Sequence, residues 1–180
     1  MKKLLVLTVL VACLLMVSCS SASRSLLRLN YTSEQIAEFE QATAQLNTPE
    51  KVDKWLRANF IYDVSILRLC RSRTYTRAQV YDQLMKTPME VFFKKSGVCF
   101  DAANFAAYCL DKAGYKVRAP LVKSHGKGHS VCAVMVDGKW WKCGDTRAFF
   151  PVGPYESYKK LLRSVKVKPG EVSYVYRKGW

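Results

Sequence analysis

The sequence predicts an α+β domain, with helices first and an antiparallel sheet second. Two observations predict it. As far as Ala113, apolar side chains recur at spacings of three and four behind N-capping residues, which is the helical pattern. From Lys116 the period becomes two, and Asp137-Gly138 separates two alternating runs as a hairpin turn. A third observation bounds the domain count. The chain has 180 residues, 49% of them apolar, enough for one globular domain with a core and too few for two large ones.

The N-terminus reads as an export signal. Lys2 and Lys3 form a positive n-region, and Leu4 to Val17 is an apolar run without charge. That run is shorter than the about 20 residues of a spanning helix and suits an h-region. It ends in Met16-Val17-Ser18-Cys19, a small residue before a cysteine, which resembles the bacterial lipobox. The resemblance implies cleavage before Cys19 and lipidation of its thiol. Residues 1–18 are then a signal peptide, 19–30 a polar tether and 31–180 the folded domain. Ordinary secretion and an uncleaved anchor are the other readings. The expected location is the cell envelope, on a membrane anchor facing the periplasm or exterior.

The whole chain carries a net charge of +15. Without Lys2 and Lys3, 27 basic side chains face 14 acidic ones, a net of +13. Such a field favours anionic surfaces. Outside the cytoplasm, nucleic acid is excluded as a natural partner. Phosphate-bearing glycolipids, anionic wall polymers and the carboxylates of peptidoglycan stems fit, and so does charge that serves solubility alone.

In the helical half, Thr32 followed by Gln35 forms a capping box. The helix behind it turns Ile36, Phe39 and Leu46 inward. Thr48 caps a second helix with Pro49 at its first position, and Val52, Trp55, Leu56 and Phe60 form its buried face. Ile61 to Leu69 is apolar but fits neither period. Arg68, Arg71, Arg73 and Arg77 read as a solvated basic loop, and 77–85 as helical. Thr87-Pro88-Met89-Glu90 repeats the cap and opens a short helix. After Ser96-Gly97-Val98, a helix from Cys99 runs to Gly114, its C′ residue. Ala102, Ala103, Ala106 and Ala107 allow close approach, so it is expected to be the central buried helix.

In the sheet half, strands are expected over 116–123, 129–136, 139–145 and 171–177. A loop is expected over 149–158, with a short helix near Leu161-Leu162.

Cys13 belongs to the signal and Cys19 to the lipid site, leaving Cys70, Cys99, Cys109, Cys132 and Cys143. An odd number in an exported chain suggests one free thiol. Cysteine catalysis needs a thiolate, a base and an acid that orients the base. Cys99 opens a helix behind Gly97, where the dipole favours a thiolate and the first N–H groups can meet an oxyanion. Of the two histidines, His129 precedes an alternating strand, while His125 lies in Ser124-His125-Gly126-Lys127-Gly128, a glycine-rich loop. A strand holds a base more rigidly, which favours His129. Asp145 ends the partner strand.

A two-residue turn at Asp137-Gly138 pairs residues whose numbers sum to 275. His129 and Asp145 then point to opposite faces. A bulge at Gly144, pairing Asp145 with Val131, would bring them to one face. The same register sets Cys132 opposite Cys143, a possible disulfide. A zinc site from His125, His129, Cys132 and Cys143 is the rival reading, although its spacing fits no common module.

Four segments together resemble the transglutaminase-like cysteine hydrolase superfamily. Lys51-Val52-Asp53-Lys54-Trp55-Leu56 through Tyr62 resembles the helix leading into its core. Thr87-Pro88 through Ser96-Gly97-Val98-Cys99 is similar to its nucleophile motif, and Gly128-His129-Ser130-Val131 to its histidine motif. Gly138-Lys139-Trp140-Trp141 with Gly144-Asp145-Thr146 resembles its aspartate motif. The resemblance implies a papain-related α+β fold, acyl-enzyme chemistry on amide bonds, no metal or organic cofactor, and Cys99, His129 and Asp145 as triad. Val131 and Cys132 stand where many members carry an aromatic. An envelope peptide or peptidoglycan-type substrate is expected, with protein cross-linking or a non-enzymatic binding module as alternatives. Tyr62 and Gln83 are candidate side-chain oxyanion donors.

Overall fold

The computed structural model of the protein describes residues 31–72, 74, 76, 79–124, 127–165 and 172–174. The expected signal peptide, Cys19, the expected tether and His125 lie outside the described residues. The chain divides into two compact units, residues 1–40 and 41–180. Helix α1, Ser33–Gln45, begins in the first and ends in the second. Thr32 and Gln35 cap it reciprocally: Gln35 N–H donates to Thr32 Oγ1 at 3.2 Å, and Thr32 N–H to Gln35 Oε1 at 2.9 Å. Phe39 and Leu46 are buried, but Ile36, expected inward, is exposed.

Helix α2, Pro49–Asn59, starts behind the Thr48 cap with proline in its first turn. Val52 and Leu56 are fully buried. Trp55 stacks between Phe92 and Phe105, at centroid distances of 5.7 and 4.6 Å. The ambiguous run after Phe60 resolves into β1, Ile61–Tyr62, and α3, Val64–Arg71. Arg68 and Arg71, expected in a loop, sit in the last turn of α3, where cations suit the helix dipole. The Asp63 carboxylate caps α3 by accepting the Ser65 and Ile66 N–H groups. Part of the expected 77–85 helix forms as a π-helical turn, Val80–Leu84. Helix α4, Pro88–Lys94, carries the full Thr87/Glu90 capping box.

Strand β2, Ser96–Gly97, pairs in parallel with β1 and delivers the chain to α5, Cys99–Lys112. Eleven of the fourteen α5 residues are buried, and the helix packs on β3, β5 and β6. It is the central helix that the alanines predicted.

Each of the first two expected strands breaks in two. Residues 116–123 become β3, Lys116–Arg118, and β4, Pro120–Ser124. Residues 129–136 become β5, Lys127–Ser130, and β6, Cys132–Val136. The halves enter different sheets. One sheet has the order β3-β6-β7-β8, with β7 at Lys139–Cys143 and β8 at Val152–Tyr155. The other has the order β5-β4-β9, with β9 at Val172–Tyr174. Strand β8 occupies what read as loop. Alternation alone cannot reveal a strand that changes sheets, because the period is unbroken across the crossing. Helix α6, Tyr158–Ser164, covers a core cluster that includes Val122, Val131, Ala133, Trp140 and Leu161.

The β6–β7 hairpin keeps the predicted register, with Cys132 opposite Cys143 and Val136 opposite Lys139. Asp137 and Gly138 both have positive φ, as a type I′ turn requires. Cys132 and Cys143 are buried and stand as free thiols, rather than as the bridge the sequence admitted. Among the described residues no helix is long and apolar enough to cross a membrane.

Candidate active site

Three elements converge at the first turn of α5. Cys99 opens that helix, His129 lies on β5 and Asp145 follows β7. His129 Nε2 is 2.9 Å from Asp145 Oδ1. The two do not meet through a bulged ladder, as the sequence suggested. The β6–β7 ladder ends at Cys132 and Cys143. The chain then leaves β7 at Gly144, whose φ is +60°. On the other side, Val131 carries the chain from one sheet to the other, so His129 never shares a sheet with Asp145.

Gly144 is required twice over. Its φ is unfavourable for a side chain. A Cβ there would also lie 2.9 Å from Ala106 Cβ and 3.1 Å from the Ala102 carbonyl oxygen. The small face of α5 is what lets the Asp145 loop approach the helix that Cys99 opens.

Asp145 is 2% exposed and densely bonded. Arg147 grips it with two nitrogens, Nε to Oδ1 and Nη2 to Oδ2, each at 3.1 Å. Lys142 Nζ lies 2.9 Å from Oδ2. Burial by itself would raise its pKa. Hydrogen bonds from His129, Arg147 and Lys142 outweigh burial and hold the carboxyl well below the usual carboxylate range. An ionised carboxylate only accepts, so His129 carries its proton on Nε2 and leaves Nδ1 as the exchangeable atom.

Cys99 is 5% exposed. Burial pushes its thiol pKa up, against the pull of the Ser130 backbone N–H. The charge of Asp101 pushes it up as well, and the Phe100 N–H and Tyr62 hydroxyl pull it down. The helix start therefore does not yield a resting thiolate, as the dipole argument expected, because desolvation is the larger effect. The Ser130 N–H that acts on the thiol belongs to the residue next to His129. Tyr62 lies beside Cys99, and burial raises its own pKa to about 12. Gln83 is exposed on the π-helical turn.

Two buried acids brace the loops. Asp101 accepts the Val98 N–H on Oδ2 and the Lys86 N–H on Oδ1, both at 2.8 Å, fixing the approach to Cys99. A Cβ on Gly97 would overlap the Asp101 carboxylate, at 2.6 Å from Oδ2. Asp53 accepts the Gly144 N–H. Burial raises both acids to about 7. Lys142, Arg147 and Asp53 were missed in the sequence. Asp53 carried a signal, since it shares the helical stripe of Leu56 and Phe60. Arg147 and Lys142 carried none beyond closeness to Asp145.

Among the described residues no group of three or more His, Cys, Asp or Glu side chains could hold a metal ion. His129 sits in one sheet, Cys132 and Cys143 in the other, which separates the ligands of the rival zinc reading.

A comparison with curated proteins found no match. Among solved structures the chain is similar to one described as the crystal structure of a TGase, with 16% identity and a TM-score of 0.49. That similarity covers 79% of this chain and 39% of the other, so this chain spans well under half the length of that relative. The sequence matches the family described as Transglutaminase-like domain over residues 30–172. By that match the chain belongs to the transglutaminase-like domain family.

Proposed function

We propose that this protein is an exported, lipid-anchored cysteine hydrolase that cleaves amide or peptide bonds of a cell-envelope substrate. The observation that carries the reading is the His129–Asp145 bond at 2.9 Å, with His129 on a strand that packs against the helix that Cys99 opens. His129 Nδ1 takes the Cys99 proton as the sulfur attacks the substrate carbonyl. The oxyanion that forms is met by the Cys99 N–H and the Tyr62 hydroxyl. The imidazolium then gives its proton to the departing amine, leaving a thioester on Cys99. Water, deprotonated by the same Nδ1, cleaves the thioester and restores the thiol. An amine in place of water would make the same site a cross-linking enzyme.

Placement in the envelope rests on the lipobox-like run ending at Cys19, and the net charge of +13 after cleavage favours anionic partners such as peptidoglycan stems. Mass spectrometry of the mature N-terminus tests the anchor. A free N-terminus elsewhere, without acyl mass, rejects it.

A second reading has its own observation: Cys99 is almost covered, with a raised thiol pKa. On that reading the fold is a non-enzymatic module whose basic surface holds an anionic polymer. Incubation with stem peptides, protein amides and polyamine acceptors separates the two. Turnover by the parent that vanishes in Cys99→Ala supports the enzyme. Polymer binding unchanged in Cys99→Ala, without turnover of any substrate by the parent, supports the module.

A further inference from the structure

Asp53 belongs to α2, a helix that supplies no member of the triad. Its carboxylate nevertheless reaches the loop that carries Asp145. Asp53 Oδ1 accepts the Gly144 N–H at 2.7 Å, across 91 positions of sequence. Asp53 is 1% exposed, and its Oδ2 has no hydrogen-bond partner among the described residues. A half-bonded acid in a core costs stability relative to an apolar side chain of similar size. Packing alone therefore does not account for it, and what it touches gives it a role.

Gly144 is held on two sides. Its Cα faces Ala102, Ala103 and Ala106 of α5, and its N–H faces Asp53. A left-handed glycine can rotate away cheaply unless its amide is tied. The amide bond to Asp53 fixes the peptide plane from which Asp145 springs.

Lys142 and Arg147 set two cations against the single carboxylate of Asp145. The charged and titratable groups that act on Asp53 are Asp145, Glu50 and Arg57, and Cys143 of β7 also faces it.

We propose that Asp53 is a positioning residue of the triad, fixing the Gly144 peptide and through it the Asp145 carboxylate on His129 Nε2. Its expected effect on turnover rests on the catalytic reading above; its effect on the His129–Asp145 bond does not.

Nuclear magnetic resonance of the imidazole rings tests this directly. The chain has only two histidines, so His129→Gln assigns the His129 signals. In the parent, the His129 Nε2 proton held by Asp145 is expected as a slowly exchanging downfield signal. Asp53→Ala is expected to lose or broaden it. In that variant kcat should fall about a hundredfold with KM little changed, as for a displacement near 1 Å. Asp53→Asn still offers Gly144 an oxygen but removes the charge. It should keep the signal and recover most of kcat. An Asp53→Ala protein with the parent's signal overturns the proposal. If Asp53→Ala does not fold, Asp53→Leu, apolar and of similar size, is measured in its place, and the parent's signal in that variant overturns the proposal. A parent without Cys99-dependent turnover rejects the catalytic reading but leaves the imidazole signals to judge Asp53.

Discussion

Tyr62 pairs with Gly97 across β1 and β2, two residues before Cys99, and the Tyr62 hydroxyl and the Cys99 thiol perturb each other's ionisation. One side chain thus lies beside the group that acyl transfer would use. Tyr62→Phe keeps the ring and removes only the hydroxyl. If the hydroxyl later donates to the oxyanion, kcat should fall by about 10²–10³ with KM little changed, the usual cost of one such donor. Steady-state kinetics on a cleaved amide measure it. An unaltered kcat/KM excludes Tyr62 from the reaction.

The raised pKa of the Cys99 thiol has a definite sign. The thiol is protonated at neutral pH, and its thiolate fraction grows as pH rises. Alkylation of Cys99 by iodoacetamide should keep accelerating above about pH 8.5, where an ordinary cysteine is already half ionised. Cys109, Cys132 and Cys143 are more deeply buried than Cys99, so the label lost on adding Cys99→Ala to a Cys70→Ser background is the Cys99 signal. A rate that levels off below pH 7 would mean a resting thiolate.

Asp145 makes stability depend on acid. Its folded pKa is depressed, so its contribution is complete above the unfolded value of about 3.9 and is lost as pH falls below that. Asp145→Asn should melt lower than the parent at pH 6, because it strips Lys142 of its buried counter-charge, a loss of about 3–5 kcal/mol. The gap between the two proteins should narrow as pH drops below 4. Thermal melts over that range check it, and a constant gap contradicts the assignment.

Gly144→Ala combines two penalties. The left-handed backbone costs about 1–2 kcal/mol for a side chain. Overpacking against Ala106 adds about 1–3 kcal/mol. Urea denaturation should show the sum. Gly138→Ala is the control, because its φ is also positive but nothing lies within 4 Å of the added carbon. Equal losses at both positions would mean that backbone strain is the whole effect.

Local rules were legible wherever one residue decides the structure by itself. Thr48 with Pro49, Thr87 with Glu90, and Asp137-Gly138 acted as their chemistry requires. Cys132 fell opposite Cys143 because a two-residue turn fixes every later pair. What stayed hidden was long-range. Nothing near Val131 announces a change of sheet, and that change, not a bulge, brings His129 to Asp145. The pKa of Cys99 was misjudged for a related reason: the helix end is visible in sequence, whereas the burial that outweighs it is a property of the whole core. Lys142 looks like any strand lysine until the loop after Gly144 folds back over it.

The crossing at Val131 has a kinetic consequence. Cys99 opens a helix, His129 lies on a strand of one sheet, and Asp145 follows a strand of the other. If the three act together as proposed, turnover should appear only when all three elements have docked. In refolding it would come later than the recovery of helical or strand signal, and would serve as a clock for completion of the domain.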